Sequence, residues 1–321
     1  MIKHRQHYVW QNYLKAWCNA DGLVQYSRND EEPSTTNPKN VMVERHFYEL
    51  QRLTDFDIEH LRFLIQHSGP PDLRSHHQEL LRSFVLVANV YDLIKDKSTV
   101  PPAEREKIRK LLIEAEDRLH DGIEHSAVPI LDQLRQQQSK FLDSHESAAT
   151  FYFYIAHQYC RTKNIREPIR RYFSRQSILQ TSANITNIHC YIMACNIGYN
   201  LFAEGESLEI VFLENKDPGF VTGDQPVINL LANRFGGDTM DYAFYYPLSP
   251  HLSCLLTHKT RNLSSKQIPA TITNRLNGLV SWHSHQFLVG DSAATVQLAK
   301  NNRPTPNQTV RDVFDFLTVN P

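Results

Sequence analysis

The first apolar pattern in the chain is a dense one: Trp10, Tyr13, Leu14 and Trp17 recur at helical spacing within Tyr8 to Cys18 and predict a short buried helix. After the Asp21-Gly22 turn the period changes to two. Leu23-Val24-Gln25-Tyr26-Ser27 alternates as a strand does, and Asn29 to Pro38 is a polar loop. From Phe56 the helical period returns and persists. Ile58, Leu61 and Ile65 form one stripe, Leu80 to Leu93 a second, and Ile108, Leu111, Leu112, Ala115 and Leu119 a third after Pro101-Pro102. Further helical stretches run through Val128 to Phe141 and Ala148 to Arg161, from an opening near Pro168, and from Ile185 to Phe202.

Beyond residue 205 the period is again two. Leu208 to Leu213, Gly219 to Thr222, Val227 to Leu230, Tyr242 to Tyr246 and Leu252 to Thr257 read as antiparallel strands, separated by Asp-Pro-Gly, Gly-Gly and Pro turns. A last helix is expected from Ile268 to Leu276, stopping at Asn277-Gly278, then a strand near Gln286 to Val289 and a polar tail after Asn301. The strand around Tyr26 has no partner close in sequence, so it is expected to join the carboxy-terminal sheet. The reading is an α+β protein of one domain, with sheet-containing parts at 1–50 and 205–295 framing a helical insertion at 56–203.

Composition adds exclusions. With 34 Lys and Arg against 35 Asp and Glu, the net charge of -1 steers the chain neither to nucleic acid nor to an anionic membrane, so any such site must be local. No apolar run reaches a spanning length and the amino end is polar from Lys3 to His7, which predicts a cytoplasmic protein with no membrane span and no signal peptide. Eleven glycines disfavour glycine-cradled phosphate folds. The five cysteines include no CxxC pair, against a disulfide framework or a cysteine zinc ribbon. GxGxxG, GxxxxGK[ST], GxSxG and HExxH are all absent.

Four polar clusters remain as candidate chemistry. His4 and His7, three residues apart, either share a metal or act as acid and base, or are exposed histidines of an end segment, and Gln11 places an amide inside an aromatic helix, bonding a buried loop or facing a cleft. Glu44 interrupts the strand-like run Asn40 to Tyr48, either as a ligand or base or as a surface acid paired with a cation. His157, Gln158 and Arg161 end an apolar helix and open the sharpest charge in the chain: Arg161 to Arg175 carries six cations, Arg166 and Arg170 among them, against Glu167 alone, or +5 in fifteen residues. Arginine forks suit phosphate, though a solvated helical face has the same composition. Asp224 sits between Gly223 and Gln225-Pro226 at a strand end, facing a cleft or capping its own turn.

Taken in order, these segments resemble the bacterial family of unknown function DUF4238. The resemblance rests on His7-Tyr8-Val9, Gln11, Tyr13-Leu14-Lys15 and an aromatic at Trp17; on Asn40-Val41, Glu44 and Phe47-Tyr48; on Gln158, Arg161 and Thr162; on Gly223 to Val227; on Tyr246-Pro247-Leu248-Ser249-Pro250; and on Asn274. Trp10 stands where the family tends to have proline, and Trp17 where it has phenylalanine. The resemblance implies a shared set of positions and no established reaction. Two main functional readings follow, beside a third, transfer of a group from a nucleotide cofactor such as NAD by the same His, Tyr and acidic residues, that no motif demands. In the first, the protein is a hydrolase of phosphodiesters or nucleotides, serving as an antiphage effector: Glu44 and Asp224, with His4 and His7, hold a divalent ion (Mg or Mn) or move protons. Gln158 completes the catalytic set, Arg161 steadies a phosphate, and Gln11, Arg166 and Arg170 bind substrate. In the second, the same polar residues form a buried structural network, and the stretch Arg166 to Arg175 engages nucleic acid or a protein.

Overall fold

The computed structural model describes residues 3–176, 180–232, 241–305 and 310–318. In chain order the amino-terminal elements are β1 (Arg5–His7), α1 (Gln11–Leu14), β2 (Val24–Arg28), β3 (Ser34–Thr36) and β4 (Val43–Arg45). The helices α2 (Asp55–Gln66), α3 (Pro71–Ile94), α4 (Pro102–Arg135), α5 (His145–Cys160), α6 (Lys163–Arg175) and α7 (Thr186–Ala203) follow. The carboxy-terminal part holds β5 (Leu208–Glu214), β6 (Thr222–Gly223), β7 (Ile228–Asn229), β8 (Ala243–Ser249), β9 (Leu252–His258), β10 (Lys266–Gln267), α8 (Ala270–His283), β11 (Phe287–Gly290), α9 (Ala293–Asn301) and α10 (Arg311–Leu317). The protein is α+β. No helix among the described residues is long and apolar enough to cross a membrane.

Two compact units are formed, one from residues 1–8, 43–126 and 152–200 and the other from 9–42, 127–151 and 201–321. The helical unit closes its core where Leu61 and Ile65 of α2, Leu81, Phe84 and Ala88 of α3, and Ile188 and Ile192 of α7 meet. The three-to-four-residue spacing of these positions is the helical stripe read from the sequence. Helix α2 starts on a reciprocal cap, with Thr54 and Asp57 each accepting the other's backbone N–H. The buried Asp57 carboxylate also accepts from the Ser182 N–H at 2.6 Å and hydroxyl at 2.9 Å, tying the start of α2 to the approach to α7.

In the sheet-bearing unit β5, β9, β8 and β7 are antiparallel neighbours, with β10 added parallel to β5 at the edge. The second sheet has the order β3-β2-β11-β6 and joins the two ends of the chain, Tyr26 opposite Val289 and Arg28 opposite Phe287. This is the closure expected of the strand around Tyr26. The strands expected at 208–213, 242–246 and 252–257 are β5, β8 and β9, and those at 219–222 and 227–230 are cut to the two-residue β6 and β7. The expected Gly236-Gly237 turn lies outside the described residues.

Several boundaries differ from the sequence reading, each for a physical reason. Helix α4 runs unbroken past Val128 to Arg135 with Pro129 inside it, and Lys140–Asp143 is a separate 3-10 turn. Helix α6 begins at Lys163, not near Pro168. Helix α8 does not stop at Gly278; a Cβ there would lie 2.0 Å from the Asn302 carbonyl oxygen, so this glycine permits close packing and does not end the helix. The expected polar tail contains α10, whose Val313 and Leu317 are fully buried in the core. Residues 1–8 and 43–50, read with the sheet part, belong to the helical unit because β1 pairs antiparallel with β4 there, Gln6 opposite Glu44.

Candidate functional site

Glu116, His120 and Glu124 lie at successive fourth positions of α4 and so share one face, and all three are buried. A charged face inside a protein requires partners. These come from the end of α5 and the start of α6. The Arg161 guanidinium donates to Glu124 Oε1 at 2.5 Å, to the Tyr48 hydroxyl at 2.8 Å and to the His7 carbonyl oxygen at 2.8 Å. Arg166 donates to Glu116 and, at 2.9 Å, to Asn187 Oδ1. Both guanidiniums also lie over aromatic rings, Arg161 at 5.6 Å from Tyr48 and Arg166 at 5.1 Å from Phe47 and 5.0 Å from Tyr48. Arg161 and Arg166 are 3% and 4% exposed, so each forms an ion pair out of water.

Burial pushes the carboxyls of Glu116 and Glu124 up, while Arg166 and Arg161 respectively pull them down. The imidazoles of His120 and His157 are held well below their ordinary range by burial, assisted at His120 by Arg161 and at His157 by His120, then Arg161. Both rings are therefore neutral, packed edge to face with centroids 5.5 Å apart. His157 Nε2 approaches Cys195 Sγ at 3.7 Å, but burial lifts that thiol to about 12, so this is no thiolate-imidazole dyad. Glu116 Oε2, His120 Nδ1, His157 Nδ1 and Arg166 Nε have no hydrogen-bond partner among the described residues.

The remaining expected positions of this unit lie nearer the surface. Glu44, expected as a ligand or base, is 44% exposed and pairs with Lys163, whose ammonium also lies 5.3 Å from the centre of the Tyr8 ring. His4 Nδ1 is 2.8 Å from His46 Nε2, and His46 Nδ1 is 3.3 Å from Glu49 Oε2. His7 is half-buried, and its carbonyl oxygen is the group that Arg161 holds. Gln158 is buried with its amide beside Glu124. Arg170 is exposed and lies 4.0 Å from Glu167. The +5 stretch is thus divided. Arg161, Lys163 and Arg166 are each matched by a buried or half-exposed acid, while Arg171 and Arg175 stand in the open beside the exposed Tyr172 and Arg170 is exposed near Glu167. Pro168, Arg171, Tyr172, Arg175 and Gln176 line an open depression of about 470 Å³ there.

Asp224 and Gln11 belong to the sheet-bearing unit. Asp224 is fully buried, and its carboxylate accepts three backbone N–H groups, from His285 at 2.6 Å, Gln286 at 2.8 Å and Phe287 at 3.1 Å. Its own N–H donates to the Phe287 carbonyl at 3.0 Å, so the side chain fixes the turn into β11. Burial raises its carboxyl and the three amides oppose this. Gly223 beside it is required by crowding, since a Cβ there would fall 1.9 Å from Ser284 Oγ. Gln11 is the first residue of α1 and half-buried. Of the residues expected to hold a divalent ion, Glu44 is paired with Lys163, Asp224 accepts three backbone amides, and His4 Nδ1 lies beside His46. Among the described residues no group of three or more His, Cys, Asp or Glu is arranged to hold a metal ion.

The sequence reading passed over Glu116, His120 and Glu124, and also Gln6, which is buried, donates to the Ile113 carbonyl at 2.7 Å and accepts the Tyr48 N–H at 2.9 Å. The signal for the α4 residues was present as an acid-imidazole-acid row at helical spacing, followed by cations at 161, 163 and 166. The family described as protein of unknown function (DUF4238) matches residues 5–294. No curated protein and no solved structure shows significant similarity to the chain.

Proposed function

The chain belongs to the DUF4238 family, and from that premise we propose that it is a binding module for single-stranded nucleic acid, recognised by the outer face of α6. The observation that carries this reading is the division of charge on α6. Its inner cations Lys163 and Arg166 are paired with Glu44 and Glu116, which orients the helix, while Arg171 and Arg175 stand beside Tyr172 in the open and Arg170 lies exposed near Glu167. Guanidiniums beside an exposed aromatic ring suit a strand whose phosphates pair with the cations while a base stacks on the ring. The depression of about 470 Å³ lined by Arg171, Tyr172 and Arg175 gives that base a place.

Hydrolysis draws less support. The carboxylates expected to activate water, Glu44 and Asp224, are occupied by a lysine and by three amides, and Arg161 donates to three protein acceptors. The test is anisotropy of a fluorescein-labelled oligothymidylate of about twelve nucleotides. Wild type is expected to bind with a log-log salt slope near -2, for about three phosphate contacts at ~0.7 each. Tyr172→Ala should weaken binding about tenfold, a stacking contribution of ~1.4 kcal/mol. The triple variant Arg170→Ala/Arg171→Ala/Arg175→Ala should abolish it, and a triple variant that binds as wild type does would refute the assignment.

A further inference from the structure

A second depression, of about 550 Å³, opens in the sheet-bearing unit, and the residues facing it are unusually rich in donors. Its walls come from separate segments: Asn12 in α1 and Lys15 just after it, Arg135 and Gln137 at the end of α4, and Ser249 and His251 at the turn from β8 to β9. The aromatic opening of the chain builds the first wall. The Tyr13 hydroxyl is shared with Thr222 Oγ1 at 2.7 Å and donates to the Pro247 carbonyl at 2.8 Å, its ring stacks on Tyr246 at 5.0 Å, and Trp17 Nε1 donates to the Phe220 carbonyl at 2.9 Å. Lys15 lies between these two buried anchors and is itself exposed. The facing turn is held by the Phe220 N–H on the Pro250 carbonyl at 2.7 Å and the Asn215 N–H on the His251 carbonyl at 3.2 Å.

The charges here are poorly matched. Lys15 and His251 face the depression from exposed positions. Arg135 reaches Asp132 only at 3.6 Å, and its Nε is buried without a hydrogen-bond partner among the described residues although the side chain is 28% exposed. Glu214 is the acid that lines the depression. We propose that this depression binds a small phosphate ester, with Lys15 and Arg135 on the phosphoryl oxygens and Asn12, Gln137 and Ser249 supplying neutral donors. A guanidinium and an ammonium beside three neutral donor side chains match a tetrahedral oxyanion. The volume lies within the range of small-molecule sites. The inference is independent of the role given to α6.

Isothermal titration of the full chain with inorganic phosphate, adenosine 5′-monophosphate and adenosine tests it. Phosphate and the monophosphate should bind and adenosine should not. Lys15→Met, at the surface, should weaken the monophosphate about tenfold, equivalent to ~1.4 kcal/mol, and Lys97→Ala, at an exposed cation outside both depressions, should leave it unchanged. Arg135→Gln should have the same effect as Lys15→Met, and the surface variant Lys15→Met decides the matter if Arg135→Gln melts early. Absence of binding up to about 10 mM monophosphate, equal binding of adenosine, or binding lost in Lys97→Ala and kept in Lys15→Met would each overturn the proposal.

Discussion

The two units bury polar groups by different chemistry. The helical unit places Glu116, Glu124, Arg161 and Arg166 out of water and matches side-chain charge with side-chain charge across α4, α5 and α6. The sheet-bearing unit buries Asp224 and Asn277 and satisfies them with backbone: three amides for the aspartate, the Val221 N–H and the Gly219 carbonyl for the asparagine. A carboxylate held by a turn's amides is local and fixes one loop. An ion pair between helices far apart in sequence requires several elements to be in place at once, so it specifies arrangement more than it adds stability, because desolvation offsets most of the attraction. One set of sequence motifs thus serves two kinds of structural work, and on α6 it leaves Arg171 and Arg175 in the open.

The largest expected effect breaks an ion pair. Arg161→Met should cost about 3–5 kcal/mol in urea unfolding, since it leaves Glu124 buried and unpaired, and adding Glu124→Leu should restore most of that loss. If the double variant is no better than the single one, the pair does not account for the burial. Next, Asp224→Ala strands three amide donors and should cost about 3 kcal/mol, with Asp224→Asn costing less because one acceptor oxygen remains. A full-stability Asp224→Ala would show that the turn is held otherwise.

The smallest effect is the pH response. His120 and His157 are held below the ordinary 6.5, so the unfolded chain binds more protons there, and their stability contribution is present above pH 6.5 and lost as pH falls below it. Glu116, Glu124 and Asp224 act in the opposite sense, because their raised carboxyls make the fold bind more protons and cost stability as pH rises through the carboxylate range. Replacing both histidines by glutamine should flatten the thermal-melt decline between pH 6.5 and about 5, and an unchanged profile would assign it to other groups.

Much of the frame was legible from periodicity alone. Strands β5, β8 and β9 are apolar runs between turn signals, and α2 and α3 carry clean stripes. Strand β1 was not readable, because Arg5, Gln6 and His7 have no pattern of their own and become a strand only by pairing 38 residues away, Gln6 with Glu44 of β4, which itself lay inside the run read as strand-like. Helix α10 reads as tail because its Val313, Phe314, Phe316 and Leu317 form only a short cluster after a polar stretch. The candidate site was half legible. Arg161 and Arg166 were marked by their density of charge, but the acids of α4 look like a solvated helical face until Glu116 is found beside Arg166, 50 positions on. Asp224 was correctly placed at a turn, with the choice between cleft and cap decided only by its three amides.

The central claim is that α6 has two faces with separate jobs, and one paired measurement addresses it. Arg166→Met and the surface triple Arg170→Ala/Arg171→Ala/Arg175→Ala are compared for unfolding free energy and for oligothymidylate affinity. The account predicts that Arg166→Met loses about 3 kcal/mol or more of stability, while the triple variant stays within about 0.5 kcal/mol of wild type and no longer binds. A folded, fully stable Arg166→Met that has lost binding, or a triple variant that unfolds and binds normally when folded, would contradict it.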